Sequence, residues 1–259
     1  MSTESVLAIT TSLGEIPVTV SARGRGAPVL LLHGGAGPAS VAPFADLLAE
    51  RTGARVILPT HPGFGGTPRP ATLATVGALA ELYLGLLEAL DLQGVTVVGN
   101  SLGGWIAAEI ALRHPPRVRG LALVDAVGID APGHEVADIF ALTPAQIAER
   151  SYADPSTAVI PDVAALPPAA RQIALGNRES LRVYGGGMTD PDLRERLGLI
   201  DVPTLVLWGE ADRIADVDYG RAFAAAIPGA RFVLLAHTGH VPQIETPGAL
   251  LDALRGFVG

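Results

Sequence analysis

The sequence predicts an α/β fold, a mainly parallel sheet with helices on both faces, from three observations. Short apolar runs recur along the chain, and most of them lack polar alternation, as expected of strands that are buried on both faces. Stretches with helical spacing lie between most of these runs. Regular alternation of strand and helix produces parallel strands that are joined by crossover helices.

The predicted elements follow one another in a regular order. The strand-like runs are residues 18–20, 29–32, 56–58, 95–98, 121–124, 204–208 and 232–235. The stretches with helical spacing are residues 41–51, 75–90, 102–113, 217–227 and 247–257. No internal repeat interrupts this order.

One segment, residues 131–197, has no clear strand and predicts an inserted helical subdomain. Its short helical pieces are separated by prolines, namely Pro132, Pro144, Pro155, Pro161, Pro167, Pro168 and Pro191. The segment leaves after the run 121–124 and returns before the run 204–208, so it lies over the carboxyl ends of the strands, where open α/β sheets bind ligands. We therefore expect a core of residues 1–130 and 198–259 with a lid of residues 131–197.

The composition indicates a globular protein and argues against two kinds of partner. Of the 259 residues 49% are hydrophobic and 17% are charged, and 26 acidic residues outnumber 18 basic ones. Such a chain is too apolar to be disordered. With no basic run, neither nucleic acid nor an anionic membrane is an expected partner. The expected partner is a small-molecule substrate, in line with the catalytic motifs described below. No pattern in the sequence indicates an oligomeric state.

The absence of cysteine excludes several kinds of site. Because the chain contains no cysteine, it has no disulfide framework, no iron–sulfur cluster, no thiol nucleophile and no cysteine-ligated zinc. The N-terminus lacks a basic region followed by an apolar one, and no apolar run reaches the ~18 residues of a membrane span. A cytoplasmic protein is the expectation.

The stretch Gly99-Asn100-Ser101-Leu102-Gly103 carries the strongest chemical signal. It fits G-x-S-x-G between an apolar strand and an amphipathic helix, and it resembles the nucleophile elbow of α/β hydrolases. Glycines let strand and helix approach closely while the serine takes a strained backbone conformation that projects its Oγ. Ser101 is the predicted nucleophile.

A serine hydroxyl needs a base, and the sequence order of the elbow's partners selects it. The histidines are His33, His61, His114, His134, His237 and His240. The order serine, acid, histidine requires a base near the C-terminus, which leaves His237 and His240. His240 follows Gly239 in the loop before the final helix, so we predict that it is the base.

The third partner must hold the imidazole in the correct tautomer and stabilise its positive charge. Asp212 lies just beyond the run 204–208 and is the predicted acid. Asp125, directly after the run 121–124, competes with it because an acid at that strand end could also reach the base. Further acidic residues near Asp212 are Glu210, Asp216 and Asp218.

A glycine-rich turn after the run 29–32 predicts an oxyanion hole. Backbone N–H groups of Gly35, or alternatively Ala36, can join that of Leu102 in facing a developing negative charge. His33 is expected to brace this turn. We predict no metal site, because other ligands at metal spacing are missing, and no cofactor.

Five ordered pieces together resemble the α/β-hydrolase superfamily over nearly the whole chain. They are "LLHGGAGP", "ILPTHPGFGGTPRP", "VVGNSLGGWIAAEIALRHPPRVRGLALVDAVG", "PTLVLWGEADRIADVD" and "HTGHVPQIETPGALLDALRGF". The resemblance implies an eight-stranded, mainly parallel sheet with a helical cap, and the triad Ser101, Asp212 and His240. Within the superfamily the chain looks like small cofactor-free esterases and like hydrolases of carbon–carbon bonds in ring-fission products. It differs from the carbon–carbon hydrolases at two positions. They commonly have Trp after the catalytic histidine, where this chain has Val241, and Asp before the PGFG turn, where this chain has His61.

Three hypotheses of function result. The first is a serine hydrolase that cleaves a carboxylic ester of a small, largely apolar substrate through an acyl-enzyme. The second is a carbon–carbon hydrolase of ring-fission products, for which substrate-carboxylate partners would be Arg150, Arg171, Arg178 or Arg182. The third, from another class, is a ligand receptor with vestigial turnover. Candidates for an apolar pocket are Phe64, Phe140, Tyr152, Tyr184, Met188 and Trp105, and Trp105 is the one most expected in the core.

Overall fold

The computed structural model describes residues 3–158 and 162–259, which form an eight-stranded sheet in the order β1-β2-β4-β3-β5-β6-β7-β8. The strands are β1 (Thr3–Thr11), β2 (Gly14–Arg23), β3 (Pro28–Leu32), β4 (Arg55–Pro59), β5 (Val95–Asn100), β6 (Val118–Val124), β7 (Thr204–Gly209) and β8 (Arg231–Leu235). β2 is antiparallel to β1 and to β4, and the remaining neighbours are parallel. The predicted α/β class is confirmed.

Nine helices accompany these strands in the described ranges. They are α1 (Ala42–Thr52), α2 (Val76–Ala89), α3 (Leu102–Ala111), α4 (Pro144–Ser151), α5 (Pro168–Gly185), α6 (Leu193–Arg196), α7 (Val217–Ala225), α8 (Pro242–Glu245) and α9 (Pro247–Val258). Each predicted helix coincides with an observed one to within two residues at either end. None of the described helices combines the length and apolarity needed to cross a bilayer.

The core has two layers, one on each face of the sheet. Residues of α2, α3 and α7 pack on one face, and residues of α1 and α9 pack on the other. Every residue of β5 and of β7 is buried, which explains why these strands have no polar alternation in the sequence. Covering both faces leaves only the strand ends and loops for chemistry.

Strand β1 is absent from the sequence prediction. It pairs with β2 along its whole length at the edge of the sheet, and of its residues Ile9 alone is buried. An edge strand with one partly covered face has only a weak hydrophobic pattern, and polar residues fill most of this one. The extra strand gives the eight that the family resemblance implies.

The segment between β6 and β7 contains α4, α5 and α6 and, outside residues 159–161, no strand longer than an isolated bridge from Gly128 to Thr189. Helix α4 begins with a capping box in which Thr143 and Gln146 satisfy each other's backbone groups. The buried part of α5 is its C-terminal half, which includes Leu181 and Tyr184. Pro161, one of the predicted helix-breaking residues, lies outside the described residues. We call residues 131–197 the inserted segment, and its role as a lid stays a prediction.

Candidate active site

The predicted elbow lies between β5 and α3, and Ser101 sits at its tip. Ser101 has φ 55 and ψ −119, a combination that costs a non-glycine residue free energy. Hydrogen bonds hold it there: its N–H donates to Val124 O at 3.0 Å, and its carbonyl accepts from Gly104 N at 2.9 Å. A Cβ at Gly99 or at Gly103 would collide with backbone atoms of the facing segment. The strained turn therefore requires both glycines of the motif.

The structure brings Ser101, His240 and Asp212 into one hydrogen-bonded chain. His240 Nε2 lies 2.9 Å from Ser101 Oγ, and His240 Nδ1 lies 2.7 Å from Asp212 Oδ2. An ionised carboxylate only accepts hydrogen bonds, so Nδ1 carries the imidazole proton and Nε2 is free to accept one from the serine. Three residues far apart in sequence thus form the arrangement of a nucleophile, a base and an orienting acid.

The loops after β7 and β8 position the acid and the base. Asp212 Oδ1 accepts from Ile214 N at 2.8 Å and from Ala215 N at 3.1 Å, so the carboxylate is fixed by its own loop. His240 donates its N–H to Ser151 O at 2.7 Å, a contact with the end of α4. Each of the two loops therefore has a rigid anchor.

Asn100 and Gln243 are positioning residues that the sequence analysis does not identify. Asn100 Nδ2 donates to Val124 O and to His240 O, each at 3.2 Å, and Gln243 Nε2 donates to Asn100 Oδ1 at 3.2 Å. The residue before the nucleophile thereby ties the elbow to the histidine loop. The only sequence signal is a polar residue at a strand end that is otherwise buried.

The competing acid, Asp125, is also at the site. It is fully buried at the end of β6, and its Oδ1 accepts from Gly209 N at 2.7 Å. Burial and the nearby charge of Asp212 raise the pKa of Asp125 well above its ordinary value. Asp212, not Asp125, forms the hydrogen bond to His240 in this structure.

The remaining alternatives have other partners. Glu210 accepts from the backbone N–H of His237 at 3.1 Å, and His237 is exposed, whereas His240 is the histidine hydrogen-bonded to Ser101. Asp216 caps α7 by accepting from Tyr219 N at 2.8 Å, and Asp218 pairs with Arg221. These residues stabilise the loop and helix that follow β7.

The predicted oxyanion turn packs against the elbow. A Cβ at Gly34 would lie 3.0 Å from the Ser101 Cβ, so the turn after β3 passes directly beside the nucleophile. Leu102 is the first residue of α3, and the first N–H groups of a helix have no acceptor within the helix. Gly35 follows Gly34 in the same turn. Gly35 and Leu102 as oxyanion donors stay a prediction.

Two buried histidines and a tyrosine brace this turn. His61 donates its N–H to His33 Nε2 at 3.1 Å and its Nε2–H to His33 O at 2.8 Å, and His61 Nδ1 accepts from the Tyr83 hydroxyl. Burial lowers the pKa of His33 to about 4 and that of His61 well below its ordinary value. Both rings are therefore neutral, as the tautomers require. The expected bracing role of His33 is confirmed, and Tyr83 is the member that sequence analysis misses.

The inserted segment contacts the histidine loop and the turn beside the nucleophile. Ser101 is only 8% exposed and His240 only 7%. Along α5, Leu181 packs on Gly35, and Tyr184 donates its hydroxyl to Pro62 O at 2.9 Å. These contacts place α5 beside the turn that precedes the nucleophile in space, and the role of the inserted segment as a lid stays a prediction.

The six predicted pocket residues lie in the core and in the inserted segment, and none of them is exposed: Phe64, Trp105, Tyr152, Tyr184 and Met188 are buried and Phe140 is half-buried. Trp105 belongs to the buried core as expected, while Phe140 is half-buried under two guanidinium groups, with Arg182 at 4.4 Å from its ring centroid. Arg178 donates to Phe140 O at 2.8 Å, and Arg150 donates to Arg213 O at 3.4 Å. Arg171 is exposed. Three of the four candidate arginines thus have protein partners.

A metal would have to compete with the hydrogen bonds of the site. Within residues 3–158 and 162–259, one group of three potential metal ligands lies close together. Its members are Asp125, Asp212 and His240, each with one ligand atom within 4.8 Å of the others. Asp212 is already hydrogen-bonded to His240, and His240 is hydrogen-bonded to Ser101. Using them as ligands would dismantle the arrangement, so the residues present do not suit a resident metal.

Known proteins resemble this chain over most of its length. A model of the alpha/beta hydrolase family matches residues 29–253. The 2-hydroxymuconate semialdehyde hydrolase of Pseudomonas putida is 33% identical, over 91% of this chain and 88% of its own length. The 2-hydroxy-6-oxo-2,4-heptadienoate hydrolase of P. putida is 30% identical, over 95% of this chain and 94% of its own length.

A solved structure agrees with these relatives. A thermophilic esterase from Thermogutta terrifontis superposes with a TM-score of 0.76 at 30% identity, over 98% of this chain and 97% of that one. Fold, motif order and relatives point to one family and to a hydrolase activity. This chain therefore belongs to the alpha/beta hydrolase family.

Proposed function

We propose that the protein is a serine hydrolase that cleaves a bond next to a carbonyl carbon, with Ser101 as the nucleophile. The observation that carries the proposal is the 2.9 Å distance from His240 Nε2 to Ser101 Oγ, with Asp212 fixing the tautomer of His240. A hydroxyl becomes a useful nucleophile only when such a base takes its proton.

The first half of the reaction forms an acyl-enzyme. Ser101 Oγ attacks the carbonyl carbon while its proton moves to His240 Nε2, and Asp212 stabilises the imidazolium. The N–H groups of Gly35 and Leu102 are the proposed donors to the oxyanion, each worth about 10²–10³ in rate in enzymes of this type. When the tetrahedral intermediate collapses, the leaving group takes the proton from His240.

In the second half, a water molecule replaces the leaving group. His240 takes a proton from the water as its oxygen attacks the acyl carbon, and Ser101 Oγ leaves with that proton restored. The products are a carboxylic acid and the protonated leaving group. The same residues serve an ester, whose leaving atom is oxygen, and a ketone, whose leaving atom is carbon.

For the substrate we propose a ring-fission product in which a carbon–carbon bond beside a ketone or aldehyde carbonyl is cleaved. Support comes from the relatives, which are named hydrolases of 2-hydroxymuconate semialdehyde and of 2-hydroxy-6-oxo-2,4-heptadienoate. A carbon can leave only if its electron pair is delocalised, and the conjugated 2-hydroxydienoate provides that delocalisation. His240 would then deliver its proton to carbon.

A small carboxylic ester is the second candidate. It is favoured by the esterase with 30% identity and by Val241, which stands where the resemblance to carbon–carbon hydrolases implies Trp. Three of the four candidate arginines in the inserted segment also contact protein groups, which weakens the case for a substrate carboxylate beside them. An oxygen leaving group needs no such partner.

The test compares both substrates on wild type and Ser101→Ala. Loss of the dienoate chromophore of 2-hydroxy-6-oxo-2,4-heptadienoate and release of p-nitrophenol from p-nitrophenyl acetate are followed by absorbance. We expect turnover of the dienoate to exceed that of the ester and Ser101→Ala to lower both by at least about 10³-fold. Ser5→Ala, on the exposed face of β1, is the control.

Each alternative has its own outcome. Faster turnover of the ester would assign the second candidate. Tight binding of a ligand with turnover far below about 1 s⁻¹ would assign the receptor hypothesis. A folded Ser101→Ala variant with wild-type turnover would reject Ser101 as the nucleophile.

A further inference from the structure

Asp125 occupies a position that the proposed reaction does not use. It directly follows β6 with φ 45, a left-handed conformation that a non-glycine residue rarely adopts. The side chain is 0% exposed, and its Oδ1 accepts from the N–H of Gly209 at 2.7 Å. Among the described residues, Oδ2 is a buried carboxyl oxygen without a hydrogen-bond partner. Such an atom in a native structure requires a reason.

The groups that face Asp125 are the acid and the base of the site. One ligand atom from each of Asp125, Asp212 and His240 lies within 4.8 Å of the other two. Glu245 is a further negative charge that raises the pKa of Asp125, with a smaller effect than that of Asp212. Two carboxyl groups so close together and so deeply buried, at 0% and 3% exposure, do not both ionise.

The hydrogen bonds decide which acid keeps the charge. Asp212 accepts from three donors, Ile214 N, Ala215 N and His240 Nδ1, whereas Asp125 accepts from Gly209 N alone. Donors stabilise the ionised form of a carboxyl group, so the negative charge belongs on Asp212 and the proton on Asp125. Burial and the charge of Asp212 raise the pKa of Asp125 accordingly.

We propose that Asp125 is a protonated positioning residue whose Oδ2–H faces Asp212, and that it becomes the carboxylate partner of His240 when Asp212 is neutralised. The proposal rests on the proposed roles of Asp212 and His240. The acid pair then carries one negative charge in total, which matches the single positive charge that His240 gains during turnover. When Asp212 is replaced, Asp125 releases its proton to solvent and the site regains its negative charge.

The first experiment detects the proton without any substrate. The protein is labelled with [4-¹³C]aspartate, and the infrared band of a protonated carboxyl is recorded at pH 7. We expect one such band in wild type, its loss in Asp125→Asn, and its loss at pH 7 in Asp212→Asn. An asparagine at 125 keeps an oxygen for Gly209 N and places an N–H donor where the carboxyl proton was, so this variant is expected to fold.

No band in wild type, a band that survives Asp125→Asn, or a band that Asp212→Asn leaves unchanged would each overturn the proposal. Asp252→Asn, an exposed residue on α9, is the control for labelling and folding. Thermal unfolding of each variant is recorded alongside.

The second experiment measures how strongly the two acids are coupled. The rate at which a fluorophosphonate labels Ser101 is compared among wild type, Asp125→Asn, Asp212→Asn and the double variant. We expect Asp125→Asn to slow labelling about threefold in wild type and about thirtyfold in the Asp212→Asn background, a coupling of the size seen between residues in contact. The rate in Asp212→Asn should also rise with pH as Asp125 ionises.

If Asp125→Asn slowed labelling by the same factor in wild type and in Asp212→Asn, Asp125 would not replace Asp212 as the partner of His240. A labelling rate in Asp212→Asn that does not rise with pH would show the same. Both experiments are independent of the substrate proposal. If Ser101 is not labelled in wild type at all, the proposed function fails, and the infrared band still decides the protonation of Asp125.

Discussion

The inserted segment contacts the site in two places that are built differently. At the end of α4 the contacts are between backbones: His240 N donates to Ser151 O at 2.7 Å, and Arg213 N donates to Arg150 O at 2.9 Å. Along α5 the contacts are made by side chains, with Leu181 on Gly35 and Asn177 Oδ1 accepting from Gly65 N at 2.8 Å. We call these the α4 contact and the α5 contact.

This difference suggests that the α4 contact supports the catalytic residues and that the α5 contact affects substrate access to them. The α4 contact joins the loops of the acid and the base to the insert through groups that cannot change rotamer. The α5 contact covers the turn beside Ser101 with side chains that can. We therefore expect changes at the α4 contact to lower kcat and stability, and changes at the α5 contact to act mainly on KM.

The largest effect is expected from Gly239→Ala at the α4 contact. A Cβ there would collide with the carbonyl of Ser151 and lie 2.9 Å from the Cα of Tyr152. Because these are backbone atoms, the histidine loop must move, and displacements of about 1 Å cost about 10²-fold in rate. Kinetics should show kcat about 10²-fold lower, and urea unfolding a loss of about 1–3 kcal/mol.

Gly256→Ala is the matched control, since a Cβ at this position in α9 meets nothing within 4 Å. Equal kcat values for the two variants would show that the α4 contact does not position His240.

A smaller effect is expected from Glu245→Gln. One carboxylate joins both sides of the α4 contact, accepting from Gly239 N at 2.6 Å and from Ala153 N at 2.7 Å. Glutamine replaces one acceptor by a donor that faces an N–H group. Losing one charge-assisted bond of about 1.5–3 kcal/mol should lower kcat roughly tenfold with KM nearly constant. A change confined to KM would show that Glu245 acts on substrate binding instead. The control is Glu50→Gln, at an exposed position of α1.

At the α5 contact, Gly35→Ala should raise KM roughly fivefold and leave kcat within about threefold, as expected for modest overpacking. The added Cβ would collide with a terminal methyl of Leu181, which can rotate away. The double variant Gly35→Ala/Leu181→Ala should restore KM, because it removes that methyl. A fall in kcat that the second substitution does not rescue would show instead that the turn itself has lost its geometry.

The smallest effect concerns the turn's brace. His33 has a pKa of about 4 when folded and 6.5 when unfolded, so the unfolded chain binds the proton first as the pH falls. Its contribution to stability is complete above pH 6.5 and declines towards pH 4, by about 1 kcal/mol between pH 7 and 5.5. Urea unfolding at these two values should show a smaller decline in His33→Gln than in wild type. Equal declines would contradict the burial of a neutral ring, and the exposed His114→Gln should behave like wild type.

The sheet and the elbow are predictable because local rules fix them. The run 95–98 becomes β5 since both its faces are covered, and Gly99 and Gly103 are required by backbone contacts that no other residue allows. Each of these features needs only a few neighbouring residues to be recognised. The motif order then leads from Ser101 to Asp212 and His240.

Other parts of the site have no local signal. Ser151 anchors His240 through its carbonyl, an atom that every residue possesses, and Glu245 lies in a short helix without a motif. Whether Asp125 or Asp212 is the acid depends on their distances from His240. The fold sets these distances, and the separation of 87 positions between the two acids in the sequence does not. The sequence does not predict strand β1, because this strand is held by its backbone pairing with β2 and has only one buried side chain to give a hydrophobic pattern.

The most direct test of the account is to map the residue that a fluorophosphonate modifies, by mass spectrometry of the digested protein. The account predicts a single adduct on the peptide that contains Ser101, formed at least about 10³-fold more slowly in His240→Asn because the base is lost. An adduct on another serine, or equal rates with and without His240, would contradict it.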